Sequence, residues 1–319
     1  MKIMVTGGAG YIGSHVVLDL CEVGNEVIVL DDLSTGNREA VDSRAEFIQG
    51  STLNNEDLAK ALNGVEAVVH LAAFKAAGES MIEPEKYSNN NISGTILLLN
   101  AMIDHDVDKF IFSSTAAVYG YPQYLPLDEN HPVEPINYYG FTKLEIERIL
   151  KWYSELKGLK FAALRYFNAA GYDPKGRITS LEKNPENLLP IVMEVASGIR
   201  DKMQVFGNDY DTPDGTGVRD YIHVSDLASA HVKAIEYLNH NDSIIVNLAT
   251  GDSHSVLDVI NLTKEISGQE ITYEVVARRP GDPAELYAGT TMAFDQLGWK
   301  AKYSDLETLL ETTWKVYMK

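Results

Sequence analysis

The sequence predicts an α/β fold, in which a doubly wound parallel sheet is followed by a smaller α+β lobe. Two observations carry this prediction. Short apolar segments alternate with amphipathic segments up to about residue 167, and the first apolar segment runs into a glycine-rich turn. Strands that alternate with helices form right-handed βαβ units, and helices then cover both faces of a parallel sheet.

The individual elements follow from the periodicity of the apolar residues. Strands are predicted at residues 2–6, 26–30, 45–49, 66–72, 108–114 and 160–166. Helices are predicted at residues 12–23, 54–63, 85–105 and 138–157. Ligands of such sheets bind beyond the carboxyl ends of the strands, so the residues after each strand are expected to hold the function.

The opening segment, residues 2–13, is typical of a strand, a phosphate-binding turn and the start of a helix. Gly7 allows the tight turn, Gly10 lets the backbone approach a pyrophosphate, and Gly13 lets the helix pack closely on the sheet. The free N–H groups of the helix N-terminus would hold the phosphates. The segment therefore predicts a dinucleotide site on a Rossmann-type sheet. The alternative is a βαβ unit whose glycines serve only the turn.

An acidic residue ends the second predicted strand and favours NAD as the dinucleotide. Asp31 follows the glycine turn by about 20 residues, where a carboxylate binds the ribose 2′-hydroxyl. The same carboxylate would repel the 2′-phosphate of NADP. Arg38 is a basic residue nearby that could favour NADP instead.

The pattern changes after Gly171, where prolines and glycines interrupt the alternation. Helices are predicted at 188–199, 255–266 and 305–317, and a strand at 243–249. We therefore expect an NAD-binding domain at residues 1–172, to which residues of about 216–250 return. Residues 173–319 are expected to form the substrate lobe.

Composition excludes several classes of protein. The chain has 319 residues with 27 basic and 46 acidic side chains, a net charge of −19, which argues against nucleic acid or an anionic membrane as a partner. A single cysteine, Cys21, rules out an intrachain disulfide and fits a reducing compartment. With no signal peptide pattern and no long apolar stretch, a cytoplasmic protein is expected. None of the eight histidines has metal-ligand spacing, so no metal site is predicted.

A tyrosine and a lysine provide the second chemical signal. Tyr139 and Lys143 stand four residues apart at the start of a predicted helix, so their side chains point the same way. A lysine ammonium near a tyrosine lowers the pKa of its hydroxyl, which would make Tyr139 an acid/base catalyst. Ser113, Ser114 and Thr115 end the strand before this helix and could hydrogen-bond a sugar hydroxyl. An exposed helix pair and an ordinary hydroxyl-rich strand end are the alternatives.

Longer blocks of sequence resemble a known family over nearly the whole chain. They include V-T-G-G-A-G-Y-I-G-S-H (5–15), F-I-F-S-S-T-A-A-V-Y-G (110–120), Y-G-F-T-K (139–143), L-R-Y-F-N-A-A-G (164–171), D-G-T-G-V-R-D-Y-I-H-V-S-D-L-A (214–228) and R-R-P-G-D (278–282). The chain is similar to the extended short-chain dehydrogenase/reductases and, within them, to the UDP-glucose 4-epimerases. The glycine turn and the Tyr/Lys pair mark the superfamily, and the later blocks mark its sugar-nucleotide members.

The resemblance implies a reaction in which UDP-galactose and UDP-glucose interconvert through a 4-keto sugar. Tyr139 is then the base that takes the proton of the sugar 4-hydroxyl, while hydride leaves C4 for a tightly bound NAD. Lys143 tunes the tyrosine and holds the nicotinamide ribose, and Thr115 bonds the 4-oxygen. The resemblance also implies a homodimer that packs helices 85–105 and 138–157 against those of its mate.

The resemblance further implies two sets of binding residues. The cofactor set is Gly7, Gly10, Tyr11, Ile12, Gly13, Asp31, Leu71, Ala72, Lys75, Asn90, Ser113, Tyr139, Lys143 and Tyr166. The substrate set is Thr115, Asn168, Asn187, Leu188, Phe206, Arg219, Tyr221, Arg279 and Asp282.

Residue chemistry alone leaves part of the substrate set open. Arg219 and Arg279 lie in Gly/Pro-rich segments of an acidic protein, and an arginine fork suits a diphosphate. They could equally be surface arginines that balance Asp220 and Asp282. Tyr221 and Phe206 are core aromatics on pattern alone, and Asn168 suits a turn.

One position departs from the family pattern, and a second leaves the range of substrates open. Many relatives have aspartate after the third strand to bond the adenine amino group, and this chain has Ser51. Leu286 stands where residue size decides whether an N-acetyl group fits. Leucine is intermediate in size, and we expect the substrates to be UDP-glucose and UDP-galactose only.

Other functions of the same fold remain as alternatives. A 4,6-dehydratase needs acidic residues after Thr115, and this chain has Ala116 and Ala117 there. A nucleotide-sugar decarboxylase or another epimerase also uses a Tyr/Lys pair and is less well excluded. A plain dehydrogenase would release its reduced cofactor, and a non-catalytic dinucleotide sensor would not need the pair.

Overall fold

The computed structural model describes residues 1–182, 185–279 and 281–318. In chain order, the described strands are β1 (Lys2–Thr6), β2 (Glu26–Asp31), β3 (Glu46–Gln49), β4 (Ala67–His70), β5 (Lys109–Thr115), β6 (Lys160–Tyr166), β7 (Asn168–Ala170), β8 (Met203–Phe206), β9 (Val218–Arg219), β10 (Tyr221–His223), β11 (Ile244–Leu248), β12 (His254–Ser255), β13 (Tyr273–Val276) and β14 (Glu285–Leu286).

The described helices are α1 (Tyr11–Glu22), α2 (Asn55–Ala61), α3 (Ala77–Ser80), α4 (Pro84–Tyr87), α5 (Gly94–Asp104), α6 (Tyr138–Lys157), α7 (Leu188–Ala196), α8 (Val224–Leu238), α9 (Val256–Ser267), α10 (Thr291–Leu297) and α11 (Leu306–Tyr317). A π-helical turn, Ser88–Ser93, joins α4 to α5. Each of two 3₁₀ turns, Arg38–Ala40 and Ala116–Val118, follows a strand of the main sheet in the chain.

The main sheet has seven strands in the order β11-β6-β5-β4-β1-β2-β3, and each strand runs parallel to its neighbours. Successive residues of a strand face opposite sides of the sheet. Ile3 and Val5 of β1 therefore pack in the apolar core with residues of α1 and α8, whereas Met4 packs in the core with residues of α2, α5 and α6. Both faces of the sheet are buried, and the predicted Rossmann-type α/β fold class is confirmed.

Most predicted elements lie within two or three residues of the observed ones. One predicted helix differs, and several observed elements were not predicted. The predicted helix 85–105 is divided by the π-helical turn Ser88–Ser93. Helix α8 was not predicted, although its buried residues Val224, Leu227, Ala228 and His231 have helical spacing. Tertiary packing on α1 completes this helix, because the two helices contact each other along their lengths.

The C-terminal part of the chain has a core of its own. Apolar residues of α7, α9 and α11 pack together with residues of β8 and β10 in this core. Small sheets surround it, formed by β8 with β13 and by β9 between β12 and β14. Strand β11 lies in the main sheet next to β6, at residues that were expected to return to it. The division into two domains stays a prediction.

The parallel strands bring their carboxyl ends to one edge of the sheet. Thr6, Asp31, His70 and Thr115 each end a strand at this edge. The functional site is built there. None of the helices in the described part of the chain is long and apolar enough to cross a membrane.

Candidate active site

The glycine turn after β1 requires glycine at two positions. Gly7 has a φ of +71°, a conformation that favours glycine, and a Cβ there would lie 2.6 Å from the backbone N of Ala72. A Cβ on Gly13 would lie 2.1 Å from the carbonyl oxygen of Gly7. Helix α1 begins at Tyr11, so the N–H groups of its first turn have no intrahelical acceptor. The backbone N–H groups of this turn face a space that any side chain at these glycines would fill. Such a space suits a pyrophosphate.

Asp31 is held beside this turn by backbone donors. One carboxylate oxygen accepts a hydrogen bond from the N–H of Ala9 at 2.9 Å, and the other accepts one from Leu33 at 2.8 Å. Burial raises the pKa of Asp31, and these two hydrogen bonds act in the opposite direction. Arg38 lies over the ring of Phe47, 4.4 Å from its centroid, and is not among the residues that line the neighbouring cavity. These positions favour a free ribose hydroxyl over a 2′-phosphate.

A cavity of about 490 Å³ lies along the carboxyl edge of the sheet. Every residue of the predicted cofactor set lines it. Those residues are Gly7, Gly10, Tyr11, Ile12, Gly13, Asp31, Leu71, Ala72, Lys75, Asn90, Ser113, Tyr139, Lys143 and Tyr166. The residues fit a dinucleotide, because backbone donors, a ribose-binding carboxylate and the Tyr/Lys pair line one continuous cleft. The contacts of each individual residue with a cofactor stay predictions.

The Tyr/Lys pair lies at the end of strand β5. The Lys143 ammonium donates to the carbonyl oxygen of Ser113 at 2.7 Å and lies 5.9 Å from the centre of the Tyr139 ring. Thr115 accepts from the N–H of Ala117 at 3.2 Å, and its hydroxyl lies near enough to Tyr139 to favour the ionised form of that tyrosine. Tyr139, Lys143 and Thr115 are thus neighbours at the end of β5.

The pKa values of the pair differ from the expectation. Burial raises the pKa of Tyr139 to about 12, and the nearby Thr115 hydroxyl acts against this rise. Burial lowers the pKa of Lys143 to about 7. Desolvation dominates both groups, so the pKa of the tyrosine is raised rather than lowered here, and the effect of a charged Lys143 on it stays a prediction.

The segment after β4 forms one wall of the cavity and is fixed by a buried asparagine. Asn91, in the π-helical turn, donates to the carbonyl oxygen of Phe74 at 3.0 Å and accepts from its N–H at 3.0 Å. Asn91 is buried and was not predicted as a functional residue. An asparagine that bonds both the N–H and the carbonyl oxygen of one residue leaves no periodic pattern in the sequence.

The opposite side of the cavity is partly formed by a segment from the C-terminal half of the chain. Glu182 forms an ion pair with Lys75, and the hydroxyl of Ser180 accepts from the side chain of Asn37 at 2.6 Å. Sequence reasoning missed Ser180 and Glu182, because contacts across more than one hundred residues leave no local pattern.

The predicted substrate residues lie mostly outside this cavity. Asn187 lines it and forms the N-cap of α7, and Leu188 is the first residue of that helix. The guanidinium of Arg279 lies over the ring of Phe206, 3.8 Å from its centroid. This stacked pair presents a flat surface of the kind that binds a planar base.

Arg219 is more constrained than the sequence suggested. One terminal nitrogen donates to the carbonyl oxygens of Val218 at 2.8 Å and Ala284 at 3.2 Å. The other forms an ion pair with Asp282 and donates to Pro283 at 2.8 Å. The expected open fork for a diphosphate is therefore not found, because the loop at 282–284 occupies both terminal nitrogens.

Asn168 and Tyr221 lie opposite each other in the small sheet formed by β7 and β10. The amide of Asn168 donates to the carbonyl oxygen of Asp220 at 2.9 Å, so the residue is part of a strand rather than a turn. Tyr221 is buried in the C-terminal core.

The structure describes both positions that the sequence left open, Ser51 and Leu286. Ser51 lines the cavity; its N–H donates to Asp57 at 2.9 Å, and its hydroxyl accepts from Leu53 at 3.2 Å. That hydroxyl still has a hydrogen to donate. Leu286 is half-buried and pairs with Arg219 between β14 and β9.

Candidate metal ligands do not cluster. In the described ranges, no group of three or more His, Cys, Asp or Glu side chains could hold a metal ion.

A parallel sheet with a glycine turn, an aspartate at the end of the second strand and a Tyr/Lys pair beside the cavity is typical of dinucleotide-dependent enzymes of the short-chain dehydrogenase/reductase class. The comparison with family models refines this class. The chain belongs to the NAD dependent epimerase/dehydratase family, whose model matches residues 3–249. The predicted family and NAD as its cofactor are thereby confirmed.

Individual relatives match over nearly their whole length. The chain is 45% identical to the UDP-glucose 4-epimerase of Lacticaseibacillus casei over 317 residues, 98% of this chain and 96% of the relative. It superposes on the Brucella ovis UDP-glucose 4-epimerase in complex with NAD with a TM-score of 0.96, 41% identity and coverage of 99% and 98% of the two chains. The Bifidobacterium longum UDP-glucose 4-epimerase in complex with NAD⁺ and UDP gives a TM-score of 0.94 at 36% identity, covering 100% and 98%.

Proposed function

We propose that this chain is a UDP-glucose 4-epimerase that interconverts UDP-galactose and UDP-glucose with a retained NAD. The observation that carries the proposal is the Tyr139/Lys143 pair, which lines the cavity beside the end of β5 that carries Thr115. Named relatives at 45% and 41% identity over almost the full chain support the same activity.

Tyr139 acts as the acid/base of the reaction. Its deprotonated hydroxyl takes the proton of the sugar 4-hydroxyl, and it returns this proton after the 4-keto sugar has turned in the site. When bound, NAD would be held by the glycine turn, Asp31 and Lys143 along the cavity and would supply the acceptor and the donor of the C4 hydride. Thr115 holds the 4-oxygen, and a positively charged Lys143 stabilises the phenolate form of Tyr139.

The substrate lobe binds the nucleotide half of the substrate. Phe206 and Arg279 form the stacking surface for the uracil ring. Arg219 and Asp282 open their ion pair for the diphosphate and the ribose, and Asn187 bonds the diphosphate from the edge of the cavity. Asn168, Leu188 and Tyr221 complete this side of the site.

The specificity of the lobe follows from Leu286. This residue pairs with Arg219 between β14 and β9, and the intermediate size of a leucine there disfavours an N-acetyl group. UDP-glucose and UDP-galactose are the substrates, and N-acetylated UDP-sugars turn over poorly.

Elimination of water is disfavoured. A 4,6-dehydratase needs an acidic pair beside the strand-end hydroxyl, and Ala116 and Ala117 hold that position in a short 3₁₀ turn. The epimerase is therefore favoured over the dehydratase, and a nucleotide-sugar decarboxylase is the remaining alternative.

The chain works as a homodimer in the cytoplasm. Trp152 and Leu156 expose 60% and 69% of their area on helix α6, one of the two helices expected to meet a second copy. Such apolar exposure is typical of a protein–protein interface. The single cysteine, Cys21, is buried and fits a reducing compartment. Trp152→Glu should convert the dimer to monomer in sedimentation velocity, and a dimer that persists at low micromolar concentration would contradict this surface.

Incubation with UDP-galactose in the absence of added cofactor tests the function. UDP-glucose is expected to form until equilibrium without net NADH. If conversion requires added NAD, the result would support the proposed chemistry but contradict the retention of NAD. Ser51 would then be the first residue to replace. No conversion in either case would contradict the proposal and direct the search to the decarboxylase.

A further inference from the structure

Helix α6 presents a third polar residue on the face that bears Tyr139 and Lys143. Glu147 follows Lys143 by one further helical turn, so all three side chains lie along one side of the helix. Glu147 is 2% exposed. A carboxylate at this depth requires partners, because an unpaired buried charge is costly.

The partners of Glu147 join the helix to the strand end that carries the chemistry. The hydroxyl of Ser114 donates to Glu147 at 2.6 Å. Arg165 donates to the same carboxylate through two nitrogens, at 2.9 Å and 2.6 Å. Ser114 and Arg165 are direct neighbours on β5 and β6, so a single carboxylate ties α6 to both strands.

Ser114 stands between the two strand residues that meet the Tyr/Lys pair. Lys143 bonds the carbonyl oxygen of Ser113, Glu147 bonds Ser114, and Tyr139 lies near Thr115. Three successive residues of β5 thus each lie beside one residue of the same helix face, and two of them are hydrogen-bonded to it. Any slip of α6 along β5 would alter all three contacts together.

The network extends beyond these two strands. Arg165 also donates to the hydroxyl of Tyr119 at 3.0 Å, and Tyr119 donates to Asn247 of β11 at 2.6 Å. A buried ion pair contributes little to stability compared with apolar residues of similar volume, and its best attested use is to fix a register. Stability alone does not account for this arrangement.

We propose that Glu147 is a positioning residue that fixes the register of α6 against the end of β5. It thereby sets the distance of the Tyr139 hydroxyl from Thr115 and from the Lys143 ammonium. The proposal rests on the epimerase activity proposed above and names a residue that acts on that reaction without touching the reacting atoms.

Two variants test the proposal. Ser114→Ala removes the link from the strand and leaves the ion pair intact. Glu147→Leu combined with Arg165→Met removes both buried charges, which is expected to leave the melting temperature within a few degrees of that of the unaltered protein. Glu145→Gln is the matched control, because Glu145 lies on the same helix in a part-exposed ion pair with Arg148.

The expected result is a loss of turnover without a loss of binding. A displacement of about 1 Å costs about 100-fold in rate, so kcat for UDP-galactose should fall roughly 10- to 100-fold in the double variant and less in Ser114→Ala, with KM nearly unchanged. The acidic limb of the pH profile of kcat should move to higher pH, because a displaced Tyr139 loses the groups that favour its ionised form. Glu145→Gln should match the unaltered enzyme.

The other outcomes would overturn either the positioning role of Glu147 or the proposed epimerase function. A folded double variant and a Ser114→Ala variant that both keep the kcat and the pH profile of the unaltered enzyme would overturn the positioning role. So would a kcat that falls only in proportion to the folded fraction, since that is the behaviour of a purely structural ion pair. If the double variant does not fold, Ser114→Ala decides alone. An unaltered enzyme that does not convert UDP-galactose would instead overturn the proposed function.

Discussion

Tyr139 depends on its neighbours for any activity near neutral pH. Burial raises its pKa to about 12, and burial lowers the pKa of Lys143 to about 7. The lysine is therefore close to the balance between its charged and neutral forms at neutral pH, and only the charged form stabilises a phenolate. The nearby Thr115 hydroxyl favours the same ionised tyrosine.

Replacement of the tyrosine hydroxyl should remove most of the turnover. Tyr139→Phe is expected to lower kcat by about 1,000-fold, because general acid/base catalysis contributes ~10²–10⁴-fold. The melting temperature should change little, since the ring stays in place. Steady-state kinetics with UDP-galactose measures the effect.

The neighbouring residue offers a matched control for this change. Tyr138→Phe deletes a hydroxyl that bonds Ser88 at 2.6 Å, away from Lys143, and should keep kcat within a few-fold. Near-normal turnover in Tyr139→Phe would remove Tyr139 from the acid/base role.

The sequence located the residues of the cofactor side better than those of the substrate side. The glycine turn, Asp31 and the Tyr/Lys pair each have a local spacing that follows from their chemistry, and all of them line one cavity. The ion pair of Arg219 with Asp282 joins distant segments, so no local pattern could show that the guanidinium is already occupied. The direction of the Tyr139 pKa depends on burial, which spacing does not reveal.

Among the elements, the π-helical turn Ser88–Ser93 has the clearest functional consequence. The apolar period of residues 85–105 predicts one helix, because a single wide turn changes that period too little to be detected. Asn91 lies buried in this widened turn, where it bonds the N–H and the carbonyl oxygen of Phe74 in the cavity wall. Wide turns of this kind often occur at functional sites.

Replacement of Asn91 by alanine should weaken the contact that fixes this wall of the cavity. Asn91→Ala leaves the N–H and carbonyl of Phe74 without their partner, which costs about 1–3 kcal/mol where such groups stay buried. We expect NAD to be lost several times faster during dialysis, as measured by the absorbance ratio of the purified protein.

Asn89→Ala is the control, since Asn89 lies exposed in the same turn. Equal NAD retention in both variants would contradict the role assigned to the wall contact.

For the whole molecule, the seven strands were predictable because each is a short apolar run bounded by polar or glycine residues. The small sheets of the C-terminal part were not, because strands of two to four residues carry too little pattern. Helix α8 had a readable pattern, but it lies between short strands in a segment where loops were expected.

Acid should destabilise the folded protein through its buried histidines. Burial lowers the pKa of four of them from 6.5 to about 3 or 4, namely His15, His70, His223 and His231. The unfolded chain binds more protons than the folded protein between those values, so stability is lost as pH falls from 6.5 towards 4. Burial raises the pKa of Asp19 and Asp220 to about 6, which acts in the opposite sense below that pH.

Removal of one buried histidine should make this pH dependence shallower. The Nδ1 atom of His231 hydrogen-bonds the carbonyl oxygen of Leu227 at 2.8 Å, and its buried Nε2 atom has no hydrogen-bond partner among the described residues. His231→Leu therefore removes a titrating group at the cost of one hydrogen bond. The melting temperature should fall less between pH 6.5 and 5 than in the unaltered protein. His240→Leu, at an exposed position, should leave the slope as it was. An unchanged slope in His231→Leu would contradict this account of acid sensitivity.

In the proposed reaction the hydrogen at C4 leaves as hydride and returns to the same carbon within one enzyme. UDP-galactose labelled with deuterium at C4 tests it directly when the reaction runs in ordinary water and mass spectrometry follows the label. We expect the UDP-glucose formed to keep the deuterium, because Tyr139 exchanges only the hydroxyl proton with the substrate. Loss of the deuterium to water would show that C4 loses a proton instead, and it would contradict the mechanism.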